Sequence, residues 1–130
     1  MNDASVIIGS KEKIMGLDQY AYVIDPKNPE GDSKEIACWR KHPNLQGWME
    51  SLYFKKGGTE EQFNCVAVKI NTEDLDALSS TINNKELPET QGFFFGSDSD
   101  DYYKDQDMQF IEDARLALDK GMVVEYSSWW

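Results

Sequence analysis

Trp39, Arg40, Lys41 and His42 set three groups able to meet an anion directly behind an indole ring. The chain has 24 acidic and 13 basic residues; Arg40 is one of two arginines and His42 the single histidine. An arginine fork binds phosphate or carboxylate bidentately, a lysine adds a point charge, and a tryptophan stacks on a base or a cation. The tetrapeptide therefore offers an anion site. It has a plainer reading too, with Trp39 in the core, Arg40 paired to a carboxylate, and Lys41 and His42 solvated ahead of a helix. An exposed ion pair of that kind contributes little stability.

Other chemistry is thinner. Cys38 and His42 stand at i and i+4 on a strand, about 13 Å apart, too far for a thiol–imidazole hydrogen bond. Asp98, Asp100, Asp101, Asp105 and Asp107 crowd the stretch from 98 to 107 with hard oxygens. That stretch lacks the sixth-position glycine and twelfth-position glutamate of a calcium loop, and it reads as a solvated loop feeding acids into a helix. No metal and no cofactor are expected. "KKGGTEE" has neither the phosphate-loop nor the dinucleotide spacing. Twenty-four carboxylates leave no particular acid–base pair selected.

A formal charge of -11 repels nucleic acid and anionic membrane, so direct binding to either is not expected. Cys38 and Cys65 form no zinc pattern or disulfide framework, and both fall in apolar, strand-like runs where a thiol acts as a small buried hydrophobe. Reduced cysteines, the lack of a signal-like start and the lack of a stretch of ~20 apolar residues lead to a cytoplasmic expectation.

Several elements must position these groups. "GLDQYAYVID" alternates and reads as a strand on which Asp18 points the same way as Tyr20 and Tyr22. "PKNPEGDSK" is the turn of a wide hairpin, and "EIACWR" is its partner strand. Pro43 opens a helix over 43 to 54 with Leu45, Trp48, Met49 and Leu52 on one stripe. "FNCVAVKI" reads as a strand, and a helix follows, capped by Asn71 or Thr72. Helical spacing resumes from about Asp101 to Lys120, Gly121 stops it, and "MVVEYSSWW" is a closing strand. The fold class is α+β: one domain over 15 to 130, a mainly antiparallel sheet with about three helices packed on it. Residues 1 to 14 read as a flexible extension.

"MGLDQYAY", "CWRKH", "GFFFG" and "YSSWW", in that order, resemble an uncharacterised family of small phage and bacterial proteins. The resemblance covers about residues 15 to 130. It departs from the family pattern at Gln19 and Cys38, and in the residues ahead of Met15. It implies a phage or prophage accessory protein acting in the host cytoplasm and leaves the mechanism open. A glycolytic kinase label carried by some relatives does not fit, since the nucleotide-binding loop and a second lobe are missing. Carried over residue by residue, the pattern selects Asp18, Trp39, Arg40, Lys41, the Gly92 to Gly96 run, Ser128 and Trp129.

The expected function is a non-enzymatic binder of a small anionic ligand or a host protein that interferes with host metabolism or defence. The candidate ligand-binding residues are Asp18, Trp39, Arg40, Lys41, Phe94 and Trp129, and Asp18 is the expected partner of Arg40. Two alternatives stand beside it. One is a small enzyme acting on a phosphorylated or nucleotide-like substrate, with Arg40 and Lys41 as clamps and Asp18 as acid or base. The other is an acidic nucleic-acid mimic that blocks a host protein.

Overall fold

A computed structural model describes residues 17–28, 30–88 and 99–129, the side chains of 99–101 excepted. The extension at 1 to 14 and the phenylalanine run at 93 to 95 lie outside the described residues. In chain order the elements are β1 (Asp18–Ile24), β2 (Lys34–Arg40), α1 (Pro43–Lys55), β3 (Ala67–Ile70), α2 (Thr72–Asn83), α3 (Ser99–Asp119) and β4 (Val123–Trp129). The sheet runs β2-β1-β4-β3 with every neighbouring pair antiparallel, as the α+β reading requires.

Each boundary has a local cause. Pro43 stands in the first turn of α1, where its missing N–H costs no hydrogen bond. Asn71 and Asp74 close a capping box on α2, with Asn71 Oδ1 accepting from Asp74 N at 2.8 Å and Asp74 Oδ2 from Asn71 N at 2.9 Å. Gly121, at φ 82, ends α3 in a left-handed turn, and Met122 N donates to Ala117 O at 3.0 Å.

β3 is shorter than the sequence pattern suggests. Cys65 sits at φ 62, a left-handed geometry that breaks the strand before Ala67, while Cys65 N still reaches Ser128 O at 2.7 Å. The helix expected from about Asp101 opens two residues earlier, at Ser99, so that it takes in Asp100 as well as Asp101, Asp105 and Asp107.

One side of the sheet holds the core. Ala21, Trp39, Val68, Ile70, Val124 and Tyr126 pack under Leu45 and Met49 of α1, Leu75, Leu78 and Ile82 of α2, and Phe110, Ile111 and Ala114 of α3. Trp39 meets Phe110 edge to face at 5.3 Å, a geometry that adds about 0.5–1.5 kcal/mol beyond area burial. The opposite side supplies no side chain to the buried core among the described residues. The consequence is a two-layer domain with an inner and an outer sheet face.

Candidate functional site: the outer sheet face

Alternation along β2 splits the tetrapeptide. Trp39 turns inward with no exposed surface, whereas the Arg40 side chain turns outward and is 78% exposed. Lys41 takes φ 69, its N–H donating to Leu17 O at 3.0 Å, and this reversal sends the chain beneath the sheet. Lys41 is exposed at that turn and His42 is fully buried. Trp39 and Arg40 thus lie on opposite faces of the sheet, which corrects the expectation that both belong to one ligand-binding site. His42 is likewise no solvated residue.

The inward half of the cluster forms a sealed polar network. Asp107, 1% exposed, receives Trp39 Nε1 on Oδ1 at 2.8 Å, and its Oδ2 lies 2.9 Å from His42 Nε2. A carboxylate only accepts, which places the hydrogen on Nε2. The His42 ring stacks on Tyr103 at 4.8 Å, and the Tyr103 hydroxyl bonds the backbone of Arg40. Gln19 clasps the His42 backbone, accepting from its N–H at 2.8 Å and donating to its carbonyl at 3.1 Å, and also reaches Tyr126 Oη at 2.9 Å. Tyr126 in turn donates to Gln46 Oε1 at 2.6 Å. Burial holds the Tyr126 hydroxyl far above its usual range, partly offset by the bond from Gln19. This network ties α1, α3 and the inner sheet together, and both His42 and Asp107 are buried within it.

The outward half is organised by strand register. Asp18 stands opposite Arg40 on one side and Trp129 on the other, so the three share a row across β2, β1 and β4. Arg40 Nε meets Asp18 Oδ1 at 3.2 Å, the ion pair the hairpin suggested. Trp129 is 60% exposed at the end of that row. The next row carries Cys38, Tyr20, Ser127 and Ala67, and the third carries Glu35, Tyr22, Glu125 and Lys69. A register shift between Ala21 and Tyr22 sets Glu35, rather than Ile36, opposite Tyr22. Tyr20 and Tyr22 stack with ring centroids 6.0 Å apart. Ile24 and Val123 close the face with an apolar fourth row.

Of the six residues chosen from sequence, Asp18, Arg40 and Trp129 come together here. Trp39 lies on the opposite face, Lys41 lies at the turn, and Phe94 is outside the described residues. Sequence reasoning left out Glu35 and Glu125, whose place depends on cross-strand register, although alternation in β1 already aligned Tyr20 and Tyr22 with Asp18.

Both thiols are free, but both are exposed, which corrects the expectation of buried hydrophobes. Cys38 lies on the outward side of an edge strand, and Cys65 on the left-handed turn ahead of β3. Burial first, then the charges of Glu35 and Asp18, push the Cys38 thiol up, with Arg40 opposing them. A protonated thiol is a weak nucleophile. The β2 edge is blunted where Gln106 donates to Cys38 O and Tyr103 bonds Arg40. A groove of about 530 Å³ lies between that strand and the last turns of α3, lined by Val23, Ile36, Leu116 and Met122 with the charged Lys34, Glu35, Asp113 and Lys120, and holds none of the six site residues chosen from sequence. Among the described residues no helix is long and apolar enough to cross a membrane, and no three carboxylate, thiol or imidazole groups gather as metal ligands. No protein family, curated protein or solved structure matches the chain.

Proposed function

We propose that this chain is a phage or prophage accessory protein whose outer sheet face docks on a host protein, without catalysing a reaction. The observation that carries the reading is a sheet face that no described helix covers. Its row of Arg40, Asp18 and Trp129 lies beside the stacked Tyr20 and Tyr22, opposite a face sealed by three helices. Exposed aromatic side chains on a rigid sheet supply contact area at low entropic cost.

A protein fits better than a small anion. Asp18 already offsets the Arg40 charge, and a net charge of -11 repels free anions. Asp18, the acid or base of the enzymatic alternative, is committed to Arg40. The face also mixes Arg40 and Lys69 with its acids, unlike the unbroken negative run a nucleic-acid mimic needs.

Site-specific photocross-linking in bacterial cells tests this. A benzophenone amino acid replacing Tyr20 or Trp129 is expected to capture one host protein, whose purified form binds the wild type and loses affinity for Trp129→Ala. The same group replacing Leu116, exposed on α3, is expected to capture nothing specific. Capture from position 116 alone, or only of a second copy of the chain, would overturn the reading. So would native mass spectrometry that finds a retained anion and no protein partner.

A further inference from the structure

The third row of the outer face carries a more specific chemistry. Tyr22 is flanked across β1 by Glu35 on β2 and Glu125 on β4. Asp18 is occupied by Arg40, whereas neither glutamate enters an ion pair with any described residue. Lys69 stands opposite Glu125 on the short edge strand without closing a salt bridge to it. The result is an aromatic ring between two unspent carboxylates, in a domain whose whole field attracts cations.

We infer that this row receives an arginine side chain of the protein partner, its guanidinium lying on the Tyr22 ring with Glu35 and Glu125 at its edges. The inference rests on the docking-face reading and names the chemistry of what docks there. A planar guanidinium suits the site better than an ammonium, because it stacks on the ring face while its N–H groups point outward in the ring plane to the carboxylates. The two glutamates stand two strand spacings apart, about 10 Å, a gap that their flexible stems and one guanidinium can close. Two glutamates at the edges of one tyrosine, unpaired among the described residues, leave the row charge to offer a cation. The Tyr22 hydroxyl senses the same surroundings, being pushed up by burial and then by the charge of Glu35.

The test titrates the full chain with a nona-arginine and a nona-lysine peptide at physiological salt, following backbone and side-chain NMR shifts. Nona-arginine is expected to move Tyr20, Tyr22 and Glu125 resonances before those of α2 and α3, and to bind more tightly than nona-lysine. Two double variants with equal loss of charge separate the site from the general field. Glu35→Gln with Glu125→Gln should weaken arginine-peptide binding about tenfold. Glu60→Gln with Glu112→Gln, two exposed positions off this row, should change it by less than about threefold. Tyr22→Leu should weaken nona-arginine more than nona-lysine while leaving the thermal midpoint in place. Equal weakening by both glutamate pairs, equal affinity for both peptides, or shifts centred on the helices would overturn the arginine assignment. The cross-linking result stands apart from this titration, so failure of the arginine site and failure of the docking face are distinguishable.

Discussion

Replacing Asp107 by alanine probes the network that fixes the Arg40 end of the outer face. The carboxylate accepts from Trp39 Nε1 at 2.8 Å and lies 2.9 Å from His42 Nε2, and all three side chains are at most 1% exposed. Alanine leaves two buried donors without an acceptor, each costing about 1–3 kcal/mol. The two together put the loss at about 2–6 kcal/mol. Against a total stability of ~5–15 kcal/mol, the variant should sit near the edge of folding at 37 °C. Asp107→Asn should cost less, about 1–2 kcal/mol, because its amide oxygen still serves Trp39 and its N–H₂ can face the other tautomer of His42. Urea unfolding followed by tryptophan fluorescence reads both, provided the slope with denaturant matches the wild type. A loss below about 1 kcal/mol for Asp107→Ala would refute the network as a structural tie. Asparagine proving as damaging as alanine would refute the tautomer argument.

Arg40→Ala, by contrast, should shift stability by less than about 1 kcal/mol, because the arginine is largely exposed and its pair with Asp18 is screened; a larger loss in the same urea assay would contradict the outward placement. Tyr126 is held neutral by burial, so its contribution is fully present below its unfolded value near 10 and is lost as pH rises above it. Unfolding free energies between pH 9 and 11 should therefore fall further for the wild type than for Tyr126→Phe, by about 1.4 kcal/mol over the whole interval, and equal falls would sink the assignment. In a Cys65→Ser background, Cys38 should alkylate more slowly than free cysteine at pH 8 and more slowly still with Arg40→Ala; faster alkylation would show that the thiol is not held protonated.

The elements were legible because their signals are local. Pro43, Asn71 and Gly121 mark helix ends by backbone chemistry alone, and the alternation of β1 put Asp18, Tyr20 and Tyr22 on one face. The hairpin made Asp18 the natural partner for Arg40, and the register delivers that pair. What stayed hidden depends on contacts between distant segments. Asp107 looked like one more solvated acid because its partners, Trp39 and His42, are 68 and 65 residues away in the chain. His42 looked solvated because the left-handed turn at Lys41, which drives it under the sheet, has no glycine to announce it. Glu35 joins Tyr22 only through a register shift that strict alternation does not contain. The cysteines were misplaced for a related reason: an apolar run shows that a strand forms, not which of its sides meets the helices.

Hydroxyl-radical footprinting of the chain inside producing bacteria, compared with the purified protein, tests the docking face most directly. Tyrosine and tryptophan rings report their own solvent access, and the two sides of the domain each carry a probe: Trp129 at 60% exposure on the outer face and Tyr102 at 80% on α3. The account predicts that oxidation of Trp129, Tyr20 and Tyr22 falls in the cell while that of Tyr102 is unchanged. Protection of Tyr102 with Trp129 still fully reactive would contradict it.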